Sequence, residues 1–376
     1  WSLPYAYGFK AIASERLVAT SRGFSDVTIA SANRSAYAYT FEWNHISDAA
    51  LLADLLKHKF RVRFNRKEMQ NSGQNLKPGS IIITRGDNKH IKNFDADLIT
   101  IANKHYKYAN TLNTGFSTKG PDMGSSDVRE IKNQKIAVLS GEKTSSLSYG
   151  EIQYFFEQEL KYPYTAINTT DFSVSMLDKY HTLVIPNGYY GSLFSKSELT
   201  KLTAWIRSGG KVIAIGGANS IFANKKTFGL KTKSSKNGKD KSDKEVELIN
   251  YEDLERDRIQ GSITGAIFKT KIDNSHPLGF GYNDAYYTLK QGARSYDYLE
   301  NGYNVVRLEN NDSFSGFVGN RALNNLSKSL IFGEQNVGRG SVVFMIDNPL
   351  FRAFWDNGKL FFANALFYTN PNMKKL

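Results

Sequence analysis

The 376 residues hold no cysteine, are 40% hydrophobic and 13% aromatic, and so can fill two cores but form no disulfide, thiolate metal site or cysteine-based acyl enzyme. No run of about 18 apolar residues occurs, and no membrane span is expected. The net charge of +13 invites a nucleic-acid partner, but six Lys against two Asp fall in 231–244, where no aromatic residue offers base stacking; this reads as a solvated loop, and nucleic acid is not expected as a partner.

The chain opens at Trp1 rather than Met, without a basic-then-apolar leader, so a piece of a longer protein is expected. Residues 1–125 should form a smaller α/β unit. Tyr37 to Glu42, Phe60 to Phe64 and Ser80 to Thr84 read as strands. Ser47 to His58 sets Ala49, Leu52, Leu55 and Leu56 on one helical face, capped by Ser47 or Asp48, and Asp95 to Asn110 reads as a second helix. Gly, Pro, Ser and Asp cluster in 118–127, a linker composition, and the unit boundary is expected at 125/126.

Across 126–376 strand and helix alternate, the pattern of a parallel sheet with helices on both faces. Lys135 to Leu139, Tyr164 to Asn168 and His181 to Pro186 are the first three strands, with a helix from Tyr149 to Leu160. Ser195 and Glu198 predict a capping box for a helix bearing Leu199, Leu202, Trp205 and Ile206 on one stripe and stopping at Gly209-Gly210. Shorter strands follow around Gly265 to Ile272, Tyr303 to Leu308, Ser329 to Phe332 and Gly340 to Ile346, with a hairpin turn at Gly338-Arg339-Gly340. Gly358 to Tyr368 is apolar on most sides, a helix expected to pack on the sheet.

The fourth strand, Val212 to Ile215, runs into Gly216-Gly217-Ala218-Asn219-Ser220. An apolar strand, a sharp turn and a helix start outline a nucleophile elbow, whose turn residue is the attacking Cys or Ser. Here it is Gly216. The default ligand site of such a sheet is the crevice at its carboxyl strand ends. Its expected walls are Ser140, Gly141 and Glu142; Asn187, Gly188, Tyr189 and Tyr190; and Gly216, Gly217, Asn219 and Ser220. Tyr189 and Tyr190 are expected as exposed anchors for a peptide or glycan, while the glycines alone could simply permit the turn. His276 could aim an imidazole into the crevice, where with Ser220 or Ser140 it would supply a serine hydrolase, or it could be a loop histidine bonded to backbone. Asp347 is expected to pair with Arg352 or to reach the crevice.

The elbow, the strand Lys135 to Leu139, the turn Leu183-Val-Ile-Pro-Asn-Gly188 and the capped helix ending at Gly209-Gly210 together resemble the class I glutamine amidotransferase-like fold. The resemblance implies a flavodoxin-like sheet and an elbow cysteine working with a later His and an acid. Gly216 stands at the nucleophile position, and no His-x-Glu follows His276, so a degenerate domain is expected.

Trp1-Ser-Leu-Pro-Tyr-Ala-Tyr-Gly8, Tyr39-Thr-Phe-Glu-Trp-Asn44, Gly120-Pro-Asp-Met-Gly-Ser125, Gly292-Ala-Arg294 and Asp347-Asn-Pro-Leu-Phe-Arg352 are similar to the C-terminal half of large bacterial zinc carboxypeptidases of the carboxypeptidase A type. That resemblance implies a peptidase domain ahead of Trp1 as partner, zinc in that domain and no cofactor in this one, an extracellular or periplasmic location, and a non-catalytic accessory role. Such zinc sites use His-x-x-Glu plus a distant His. None of His45, His58, His90, His105, His181 or His276 has Glu three residues on, and Asp48 after His45 reads as a helix cap.

Overall fold

In the computed structural model of the chain, residues 2–19, 30–233, 250–310 and 313–369 are described; Trp1 and the 234–244 part of the expected Lys-rich loop lie outside them. The N-terminal unit comprises α1 (Leu3–Tyr7), β1 (Ala38–Phe41), α2 (Ile46–Lys57), β2 (Val62–Asn65), β3 (Met69–Asn71), β4 (Gln74–Leu76), β5 (Ile81–Thr84), α3 (Phe94–Lys104), β6 (Asn110–Leu112) and β7 (Val128–Ile131). Five strands form an antiparallel sheet in the order β6-β1-β5-β2-β7, and β3 and β4 make a separate hairpin. Alternating side chains divide between two cores. Tyr39, Phe41, Val62, Phe64, Ile81 and Ile83 face α2 and α3, while Ala38, Ile82, Leu112 and Val128 meet Met69 and Leu76 of the hairpin.

Asp48 does close the first turn of α2, but the capping residue is His45: its ring accepts Ser47 N–H, and the Asp48 carboxylate accepts the backbone N–H groups of Asn44 and His45. The expected linker is stitched into this unit instead of standing apart. Gln70 N–H donates to Lys119 O and Thr118 N–H to Gln70 O, both at 2.8 Å, and β7 pairs with β2, which carries the first sheet to Ile131.

The second unit comprises β8 (Ile136–Ser140), α4 (Ser146–Tyr154) continued by a π-helical turn (Phe155–Leu160), β9 (Thr165–Asn168), β10 (Thr182–Ile185), α5 (Lys196–Arg207), β11 (Lys211–Ile215), α6 (Leu254–Gln260), β12 (Ile263–Ile272), β13 (Ala285–Lys290), β14 (Tyr303–Leu308), β15 (Phe314–Val318), α7 (Asn320–Leu326), β16 (Ser329–Val337), β17 (Gly340–Met345) and α8 (Asp356–Phe367). β9-β8-β10-β11-β17 run parallel, and the sheet then continues antiparallel through β16-β14-β12-β13, with β15 on β12. This is an α/β fold with helices on both faces. Ile213 and Ile215 point into the core shared with α8, whereas Val212 and Ala214 point to Leu202, Trp205 and Ile206 of α5. Burial on both sides is why these strands are continuously apolar. Ser195 caps α5 by accepting Glu198 N–H, but the Glu198 carboxylate pairs with Lys201 at 2.6 Å. Gly338 and Arg339 make the β16–β17 hairpin turn.

The two units share one core at α8. Trp43 Nε1–H donates to Asn364 Oδ1 at 2.7 Å, and Asn364 Nδ2 donates to the carbonyls of Leu278 (2.9 Å) and Phe280 (2.8 Å). Tyr368 stacks on Phe64 with ring centroids 4.5 Å apart, and its hydroxyl reaches Gly79 O. Among the described residues no helix is long and apolar enough to cross a membrane.

Candidate functional site

The turn after β11 runs directly into a short 3-10 helix, Gly216–Ile221. Gly216 sits at φ +58°, a left-handed conformation that costs glycine nothing. A Cβ there would lie 2.8 Å from Asn187 Oδ1, so the asparagine from the neighbouring strand end fills the space a nucleophile would need. The same Oδ1 accepts Gly217 N–H at 2.7 Å. In a working elbow the N–H after the nucleophile helps stabilise the oxyanion, and here it is already bonded to a side chain. Ser220 Oγ donates back to Gly217 O at 2.7 Å. Asn219, expected as a crevice wall, is buried: its Nδ2 donates to Gly216 O and Met345 O and ties the turn to β17.

A crevice of about 950 Å³ lies where expected, at the carboxyl ends of the parallel strands. Glu142, Asn187, Gly188, Tyr189, Gly216, Gly217 and Ser220 line it, as the sequence suggested. The tyrosine pair divides. Tyr189 is 80% exposed, whereas Tyr190 is 1% exposed, its hydroxyl within 3.0 Å of Pro186 O and Thr144 Oγ1. Burial pushes the Tyr190 phenol up to about 12, so it is a structural tyrosine and not a binding anchor.

Several wall residues escaped the sequence reading: Gln291, Gly292 and Arg294, which follow β13, and Asn348, beyond the end of β17. Asp347 reaches the crevice, one of the two placements expected of it. Asp347 does not pair with Arg352. Its partners are Lys290, at 2.9 Å, and the Thr288 hydroxyl, at 2.7 Å, all three buried. The Arg352 guanidinium lies over Phe351, while its backbone N–H donates to Glu151, which also accepts from Asn348 Nδ2, both at 2.5 Å. Burial raises the Glu151 carboxyl above its ordinary value, against these two donors. Lys290 and Glu151 carried no local signal: each is a single charge within an otherwise unremarkable strand or helix.

His276 is not in the crevice. β12 runs opposite to the parallel strands, so the loop after it emerges at the other edge of the sheet, while β13 returns and brings Gln291 to the crevice edge. The His276 Nδ1 accepts Leu278 N–H at 3.2 Å, Nε2 lies 3.5 Å from a Glu334 carboxylate oxygen, and the ring packs on Tyr303. Burial lowers its pKa to about 4. Ser220 and His276 therefore do not meet. Among the described residues no three His, Asp or Glu side chains gather as a metal-holding group.

No family model and no curated protein matches the chain. It is similar to a solved ThuA-like protein from Bacteroides uniformis (10% identity, 61% of this chain and 89% of that one, TM-score 0.35). It is also similar to a glutamine amidotransferase from Thermotoga maritima (10% identity, 58% and 77%, TM-score 0.35) and a GMP synthase protein from Thermoplasma acidophilum (9%, 62% and 94%, TM-score 0.38). Likenesses this weak concern the fold alone and carry no argument about activity or about a carboxypeptidase parent.

Proposed function

We propose that this chain is a non-catalytic accessory region, a degenerate amidotransferase-like domain with an N-terminal sheet unit, whose strand-end crevice binds a peptide or glycan in the service of a secreted zinc carboxypeptidase. The observation that carries the loss of catalysis is Asn187: its Oδ1 takes both the space beside Gly216 and the Gly217 N–H. Ligand binding is supported by the size of the crevice and by the exposed Tyr189 ring at its wall. The carboxypeptidase partnership is supported by the ordered motifs alone, of which Gly292-Ala-Arg294 and Asp347-Asn348 line the crevice.

The purified chain should turn over neither glutamine nor model peptides, while peptide and glycan arrays should find ligands whose binding weakens with Tyr189→Ala. Metal-independent hydrolysis abolished by Ser220→Ala would overturn the non-catalytic reading. Array binding unchanged by Tyr189→Ala would remove the crevice from it. Absence of a zinc-ligand motif from the gene's full reading frame would remove the carboxypeptidase.

A further inference from the structure

At the sheet edge opposite the crevice, the two units enclose a second cavity of about 310 Å³. Its N-terminal wall carries Arg66, just beyond β2, and Arg129 on β7. The strands hold them close: Arg129 pairs in register with Phe64, and Arg66 N–H donates to Asp127 O at 2.7 Å.

This wall has more positive charge than its own carboxylate can balance. Asp127 lies 2.9 Å from Lys67 and 3.9 Å from Arg66, so one acid serves three cations including Arg129. Arg129 Nε donates to Ser126 O, and among the described residues nothing accepts from its two terminal nitrogens. Burial, with Arg66 adding to it, holds this guanidinium below its ordinary value. The facing wall is polar and ordered. His276, whose Nδ1 accepts Leu278 N–H, packs against Tyr303, and Asn336 lines the cavity together with two carboxylates, Glu334 and Asp273, the latter with one oxygen already taken by the Ser275 N–H and hydroxyl.

Arg129 is partly desolvated and Arg66, with 40% of its side chain exposed, adds a like charge to it; a shared anion relieves that repulsion. The two planar forks match the oxygens of a carboxylate or phosphate in geometry as well as charge. A cavity between units is also where small-molecule sites concentrate. We propose that this inter-sheet cavity binds a small ligand through an oxyanion, phosphate or carboxylate, held by Arg66 and Arg129, with the rest of the ligand against Tyr303 and Asn336. The site is separate from the crevice and independent of the reading given to it.

Titration calorimetry of the whole chain with inorganic phosphate and with succinate, at ionic strength held constant with sodium chloride, tests the proposal. Saturable binding of at least one is expected, with tighter phosphate binding marking a phosphorylated ligand and tighter succinate binding a carboxylate. Affinity should fall about tenfold or more in Arg129→Gln and in Arg66→Gln, the loss of a charge-assisted bond, and should hold in Arg294→Gln of the crevice. Arg129→Lys, which keeps the charge and loses the fork, covers the case in which Arg129→Gln misfolds, and it too should weaken binding. No saturable binding of either anion, or wild-type affinity in the Arg129 variants, overturns the proposal.

Discussion

Asn187 and Gly217 are joined by a 2.7 Å hydrogen bond from the glycine N–H to Oδ1, and that oxygen also lies 2.8 Å from where a Cβ on Gly216 would project. One side chain thus closes both halves of what an elbow offers a substrate: the nucleophile's space and an oxyanion donor.

Restoring a thiol should therefore not restore chemistry. Gly216→Cys must adopt a left-handed backbone, at about 1–2 kcal/mol, and must displace Asn187. A lowered melting temperature and no glutaminase activity are expected. Combining it with Asn187→Ala should recover the part of the loss due to crowding and leave the backbone part, as read by denaturant midpoints.

The buried pair Lys290–Asp347 beneath the crevice should behave asymmetrically under mutation. Lys290→Met leaves a buried carboxylate with only Thr288 beside it, and a destabilisation of about 3–5 kcal/mol is expected. The double variant Lys290→Met with Asp347→Leu should be markedly more stable than the single one. Urea unfolding of the three proteins measures the difference.

His276 gives a defined pH dependence. Its imidazole titrates near 4 in the folded chain and near 6.5 when unfolded, so between those values the unfolded state holds the extra proton. Its stabilisation is complete above pH 6.5 and is lost as pH falls toward 4, on the order of 3 kcal/mol in all. Glu151 and Glu159, raised by burial, work in the opposite sense, so the quantity to measure is wild type minus His276→Gln. That difference should shrink steadily as pH falls from 6.5 to 4.

Asn364 should hold the two units together. Asn364→Leu strands the Trp43 indole N–H and the carbonyls of Leu278 and Phe280 in a dry core, each costing about 1–3 kcal/mol. Calorimetry should show a single transition for wild type, because the two units share one core at α8, and a much lower midpoint for the variant.

Much of the architecture was legible in the chain because burial leaves a local signature. Strands covered on both faces carry unbroken apolar runs, such as Val212 to Ile215 in β11; α5 carries its stripe and its serine cap; and the lack of any side chain at Gly216 needs no coordinates. Tyr189 and Tyr190 looked alike because exposure there depends on which neighbour turns inward, and Thr144 and Pro186 decide that.

Sequence alone thus determined the α/β layering and the glycine at the turn after β11, both properties of short stretches. Only the tertiary structure decided which residues share an edge. The direction of β12 and β13 is set by pairing with distant strands, and that reversal sends His276 to the Arg66–Arg129 cavity and Arg294 to the crevice. A local pattern records how deeply a residue is buried, but not which way its strand will run.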